Sequence, residues 1–290
     1  MAGVLTLPAT GPRRVGLLAR LARRPSACIG LVLLGLVAGA GLAAPVLFPG
    51  DPLDMVGAPL QWPGTDPAFP LGTDMLGRDI AAGIAHGARI SLMIGAVATL
   101  VALVIGVGIG AAAGYYGGHI EAALMRLTEL FQTIPPFLFT LAIVAVLQPS
   151  IPTIVLAIGL TGWPALARLV RAEVLRLRDG ELVQSSIVIG ASDARIIGLH
   201  ILPNVLAPVI VSASILVANA ILTESSLAFL GLGDPNVVSW GAMVGAGREV
   251  IRTDWFVAAA PGLAIVAAVL ALNLLGDGLN DALDLKRELR

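Results

Sequence analysis

Six stretches of about 20 residues, each almost wholly apolar, punctuate this chain at 27–48, 90–113, 128–147, 152–171, 204–223 and 256–276. A run of that length matches the hydrocarbon thickness of a bilayer. Within lipid, each backbone N–H and C=O must find its partner inside the protein. Separate apolar runs achieve this only as α-helices, so the pattern predicts an all-α polytopic membrane protein with six transmembrane helices. At 57% hydrophobic and 13% charged over 290 residues, the chain lacks the polar surface of a soluble domain. The third and fourth stretches share one uncharged block, divided by Pro149 and Pro152. Cys28, the single cysteine, excludes a disulfide framework.

The arginines set the orientation. Arg13, Arg14, Arg20, Arg23, Arg24 and Arg126, the five arginines between the fourth and fifth stretches, and Lys286, Arg287 and Arg290 all fall on one side. Only Arg78, Arg89, Arg248 and Arg252 fall on the other. By the positive-inside rule this is an N-in, C-in topology. A cleaved signal peptide is the competing reading of the N-terminus. Its apolar run is too long for that, and no small-residue cleavage site follows, so a retained first helix is expected.

Residues 49–89 on the outer side are rich in proline and fit no helix before about Thr73, where Thr73 or Asp74 is expected to cap a helix from Met75 to Ala88. Residues 224–255 carry GLGDP and WGAM and read as a second outer loop, either folded back toward the membrane or, like the first, a plain solvated connector. Within the spans, Gly106, Gly110 and Gly114, and separately Gly35 and Gly39, have the spacing that lets helix backbones approach closely in lipid. Prolines at 45, 135, 136, 164, 208 and 261 predict bends.

Polar groups at membrane depth are few and so are functional candidates. Thr161 with Trp163 in the fourth span, and Asn219 and Glu224 in the fifth, are candidates for a translocation path or gate, although Glu224, close to the outer boundary, fits an interfacial, helix-orienting role at least as well. Asn273 and Asp277 lie late in the sixth. No catalytic constellation, no phosphate-binding G-x-x-x-x-G-K-[ST] loop and no His/Cys cluster with metal-ligand spacing occurs, the histidines being His86, His119 and His200.

Arg168 to Asn204 is the one compact polar interruption. It holds Arg168, Arg171, Glu173, Arg176, Arg178, Asp179, Glu181, Asp193 and Arg195, while Leu130 to Ala167 before it holds no charge. Its order predicts a basic helix to Arg178 ended by Gly180, then a helix over 181–189 with an apolar stripe of Leu182, Val183, Ile187 and Ile189. Gly190 turns the chain in a left-handed conformation. A second helix, capped by Ser192 with Asp193 in its first turn, runs to about Leu202, ahead of Pro203. The product is an elbow on the cytoplasmic face, with a plain amphipathic linker as the alternative.

Gly190 followed by Leu202-Pro203 resembles the coupling loop of ABC importer permeases, E-A-A-x3-G-x9-I-x-L-P. LGTDMLGRD, GARISL, AGYYGG, MRLTELFQTIP, GASDARII with HILPN, and ESSLAFLGLG are similar to the C-type permease subunit of dipeptide, oligopeptide and nickel transport systems. Gln184, Ser185 and Ser186 replace E-A-A, which removes an acid at 184 but keeps the glycine hinge and the terminal proline. His200 stands at the Ile position, and Ser225 and Ser226 stand where alanines are common.

The resemblance implies a type I ABC importer permease fold, with a cytoplasmic tail at 1–26, a first helix at 27–48 and an extracytoplasmic loop at 49–88. A transmembrane domain at 89–280, with its coupling loop at 176–203, and a tail at 281–290 would follow. It also implies a non-enzymatic transport subunit in the bacterial cytoplasmic (inner) membrane, in contact with lipid and not with nucleic acid. Its expected partners are a second homologous permease, as a heterodimer, two ATPases that bind ATP and Mg in place of this chain, and an extracytoplasmic substrate-binding protein. The residues expected to couple to the ATPases are Gly190, Ala191, Ser192, Asp193, Arg195, Leu202 and Pro203. The cargo class would be peptides or a related small solute. An ion-coupled carrier or channel working without ATPases is the alternative; it predicts polar midplane residues and inverted repeats, and neither is evident.

Overall fold

A computed structural model describes residues 24–283. The tail arginines at 13, 14, 20 and 23, together with Lys286, Arg287 and Arg290, lie outside the described residues. The helices are α1 (Pro25–Leu47), α2 (Ile80–Tyr116), α3 (Gly118–Thr133), α4 (Pro136–Leu147), α5 (Ile151–Arg178), α6 (Glu181–Val188), α7 (Asp193–Phe229), α8 (Trp240–Gly247) and α9 (Phe256–Leu283). Among the described residues the only β pairing is an isolated bridge between Thr73 and Asp79. Among the described residues five helices, α1, α2, α5, α7 and α9, are long and apolar enough to cross a membrane.

The sixth crossing differs from expectation. In place of one helix over 128–147, α3 and α4 meet at 78°. Ile134 is extended (φ −92°, ψ 132°), because the ring of Pro135 bars helical geometry from the residue before it. Pro136 then opens α4. With 12 residues, α4 is about 18 Å long, too short to cross a bilayer alone.

The outer loop also departs from expectation. No helix begins at Met75; α2 starts at Ile80, where Asp79 caps it by accepting from the Ala81 N–H at 2.8 Å. Thr73 pins the loop instead. Its hydroxyl donates to the Ala58 carbonyl at 2.6 Å and accepts from the Gln61 N–H at 2.9 Å. Asp74 closes a turn by accepting from Leu76 and Arg78.

The spine of the bundle is α2 against α5, brought close by the expected glycine ridge. A Cβ at Gly106 would stand 3.0 Å from the Trp163 carbonyl, and one at Gly114 would stand 2.7 Å from Val174 Cβ. Among the described residues nothing stands within 4 Å of a Cβ placed at Gly35 or Gly39; Gly30 and Gly41 are the α1 glycines that let α9 and α2 approach. The helix α8 packs back against the bundle. Trp240 is fully buried, its backbone N–H on Ser91 Oγ and its indole N–H on the Ile84 carbonyl.

The elbow's second helix does not stop at Leu202. Asp193–Arg195 leads through a π-helical segment, Ile196–Ile201, into Leu202–Phe229 with no interruption. Pro203 falls in the first turn after the π segment, where the wider winding accommodates a residue that has no N–H to offer.

Candidate functional site

Two places concentrate the polar groups singled out by the sequence. The first is the elbow between α5 and α7. Its turn is a Schellman closure: the Gly190 N–H donates to Ile187 O at 2.9 Å and the Ala191 N–H to Ser186 O at 3.0 Å. Gly190 has φ +85°, so the left-handed conformation expected of it is present. Ser192 holds the N-cap position with extended backbone, but its hydroxyl makes no cap bond; the turn is exposed and water can take that place. Leu202 packs on the apolar cluster beneath the elbow, while Arg195 and Pro203 are exposed.

Of the expected apolar stripe, only Val183 turns inward, joining Ile196, Ile201 and Val205 against Val170 and Val174. Leu182 and Ile187 point outward, and Val188 and Ile189 are 87% and 84% exposed. The geometry explains the divide. A helix of eight residues pressed against a bundle buries one side, and the Schellman turn leaves its last residues projecting.

The elbow is tied to the bundle at the end of α2. Tyr115 OH donates to Asp193 Oδ1 at 2.9 Å, and the Arg178 guanidinium donates to the Tyr115 carbonyl at 3.2 Å. A cation at the negative end of the α2 dipole is favourably placed. Gln184, which stands where the family pattern has an acid, donates its carboxamide to the Arg178 carbonyl at 3.2 Å. An ionised glutamate has no N–H to make that bond. Close by, Arg171 pairs with Glu121 and links α5 to α3.

The second place is a cavity of about 340 Å³ among α2, α4, α5 and α7. It brings together Thr161 and Asn219, and adds Thr99, Thr140 and Thr223. Thr140 and Thr161 share a hydrogen bond of 2.9 Å between their hydroxyls, and Thr223 donates to the Asn219 carbonyl. Pro136 and Phe137, at the break in the third span, form part of the wall. A larger groove of about 760 Å³ lies between α1, α2 and the outer loops, but it gathers none of the four path candidates.

Trp163 and Glu224 are not brought to this cavity. The Trp163 indole is buried with Ala102 and Ala167, edge-on to Phe131 at 5.2 Å, and fastens α3 to α5. Glu224 is 2% exposed; Ser239 Oγ donates to its carboxylate at 2.6 Å and accepts from the Ala242 N–H. The acid therefore joins α7 to α8, a helix-orienting contact. Of the residues not singled out by sequence, Thr223 had a readable signal in its i,i+4 spacing from Asn219. Thr99 and Thr140 had none, since they lie on other helices.

The backbone arrangement is that of an importer permease. A chain from the inward-facing MetNI methionine ABC transporter superposes with a TM-score of 0.59 at 17% identity, over 69% of this chain and 95% of that one. The family model for the binding-protein-dependent transport system inner membrane component matches residues 105–288, and the chain belongs to that family. It is 40% identical over 263 residues to the di/tripeptide transport system permease protein DppC of Pseudomonas aeruginosa, across 89% of this chain and 87% of that protein. To the dipeptide transport system permease protein DppC of Haemophilus influenzae it is 38% identical over 266 residues, across 90% of each. It is thus a multi-pass ABC importer permease, a transport component and not an enzyme, of a family that works with ATPases, a substrate-binding protein and a second permease.

Proposed function

We propose that this chain forms half of the pathway of a peptide importer in a bacterial cytoplasmic membrane, paired as a heterodimer with a homologous permease. Two ATPases, which bind ATP and Mg, dock on the elbows, and Gly190, Ala191, Ser192, Asp193, Arg195, Leu202 and Pro203 shape that contact. The observation that carries the coupling role is the exposed apolar ridge Leu182, Ile187, Val188 and Ile189 on an element otherwise bolted to α2, α5 and α7. An apolar patch facing water beside basic residues suits a protein partner. Peptide cargo follows from the two DppC relatives, which are di- and tripeptide or dipeptide transport permeases. The domain layout at 89–280, with its coupling loop at 176–203, is the family pattern carried onto this chain.

Reconstitution tests the reading. The permease pair, the ATPases and the binding protein in liposomes are expected to accumulate di- and tripeptides only when ATP is enclosed with the ATPases. Peptide or ion-driven transport by this chain alone would sink the proposal in favour of a carrier.

Tyr115 offers a finer test of coupling. Tyr115→Phe deletes only the hydroxyl that holds Asp193, a bond worth about 1 kcal/mol. Peptide accumulated per ATP hydrolysed is expected to fall about fivefold. Asp193→Asn keeps the acceptor oxygen and should retain the wild-type ratio.

A further inference from the structure

The groove of about 760 Å³ beside α1 belongs neither to the elbow nor to the cavity that holds Asn219. Its walls are α1 and α2, and its rim is the loop segments at Asp51 and Asn236. The two walls are fastened together, because the His86 ring donates to the Phe48 carbonyl at 3.0 Å. Two opposite charges line the groove, Arg89 and Asp51, and both are exposed. Neither has an ion-pair partner among the described residues, so they stand more than 4.0 Å apart.

The depth of Arg89 follows from α2. Tyr115, which holds the elbow, lies 26 residues further along that helix, a rise of about 39 Å. A bilayer with its headgroups is about 40–45 Å thick, and no Asp, Glu, Lys or Arg occurs between the two residues. Arg89 therefore stands at the headgroup layer of the leaflet far from the elbow. Its stem lies against α1, since a Cβ at Gly41 would be 3.3 Å from Arg89 Cγ. An apolar stem packed on a helix, with the cation free at the interface, is how arginine sits at a membrane surface.

The side of α2 matters as well. Arg89, Met93, Leu100 and Val104 recur at helical spacing and are all exposed. Ala98 and Ala102, which line the Asn219 cavity, fall on the opposite side of the helix. An apolar strip thus runs from Arg89 toward mid-bilayer, away from that cavity, with Leu42 of α1 exposed beside it. A cation and a carboxylate held apart above such a strip suit one kind of molecule. It carries an anion, a separate cation and an apolar tail. The arginine fork matches a phosphate. Asp51 accepts from the Leu53 N–H at 2.9 Å through Oδ1, which leaves Oδ2 to accept from an ammonium.

We infer that this groove binds a zwitterionic phospholipid with a primary ammonium headgroup. The phosphate pairs with Arg89, the ammonium with Asp51, and one acyl chain lies along the α2 strip. The site is independent of the cargo, because it faces away from the Asn219 cavity.

Native mass spectrometry of the complete transporter, titrated in detergent with dioctanoyl phosphatidylethanolamine, tests the site. Arg89→Gln is expected to weaken binding at least about tenfold, the loss of one charge-assisted contact. Dioctanoyl phosphatidylcholine, whose trimethylated nitrogen has no N–H, should bind the wild type about tenfold more weakly than phosphatidylethanolamine. Asp51→Asn should erase that preference. Arg252→Gln, at an exposed arginine outside the groove, should change nothing. Unchanged affinity in Arg89→Gln, or an equal loss in Arg252→Gln, would overturn the site. Equal binding of the two lipids by the wild type, or a preference that survives Asp51→Asn, would overturn the headgroup assignment. Absence of bound lipid in the complete transporter would mean that another subunit covers the groove, and displacement of the lipid by trialanine would make it a peptide site; either result sinks the inference.

Discussion

Gly190→Pro should abolish ATP-driven uptake while the subunit still inserts and assembles. The native φ is +85°, and proline fixes φ near −65° and removes the N–H that bonds Ile187 O. The turn cannot survive that change, and α6 must leave its place against α7. The penalty is about 3 kcal/mol or more, which corresponds to a loss of more than about 100-fold in any step that needs the native elbow. Damage should remain local, since the space around a Gly190 side chain is empty to 4 Å. Uptake assays and quantitation of the subunit in membranes check both halves of the expectation. Undiminished uptake would remove the elbow from the transport cycle. Gly190→Ala, which only strains the left-handed conformation, should fall between proline and wild type.

Gly110→Leu should fail earlier, at folding. A Cβ there would stand 2.5 Å from the Ala167 carbonyl and 2.7 Å from Val170 Cβ, so a leucine forces α2 and α5 apart. Those contacts are dispersion between close backbones, the principal attraction available to helices in lipid, and they weaken quickly as a gap opens. Overpacking of this kind costs about 1–3 kcal/mol in soluble cores, and here the contacts of Gly106 and Gly114 are lost with it. Accumulation in the membrane is expected to drop at least about tenfold. Gly108→Leu supplies the control, because nothing lies within 4 Å of its Cβ position on the same helix. Equal accumulation of the two variants would mean that the ridge does not hold the spine together.

Features set by local physics were legible in the sequence. The first span, expected over 27–48, is Pro25–Leu47, and Gly190 takes the conformation that its place after an apolar helix demands. Other features depend on competition between local rules. Pro135-Pro136 announces a disturbance, yet whether it bends or severs the span depends on how α3 and α4 settle against α5. Pro203 reads as a stop, and it is one only where the preceding turn is α-helical; the π segment cancels the signal. Trp163 and Glu224 were reasonable path candidates by depth and polarity, but burial against Phe131 and Ser239 depends on neighbours distant in the chain. The cavity drew its threonines from several helices, so only Asn219 and Thr223, which share one helix face, hinted at it.

The uninterrupted run of α7 has a mechanical meaning. Its 37 residues make a rod about 55 Å long, with Asp193 near one end. Asn219 lies 26 residues further on, about 39 Å away. A tilt of roughly 10° about the elbow end would carry the carboxamide about 7 Å sideways, enough to withdraw it from its wall. Between those points lie the π segment, Pro203 and Pro208, so the stiffness of the helix at these three places sets how much of a small angular input at the elbow arrives at mid-bilayer as a lever stroke on the scale of a side chain.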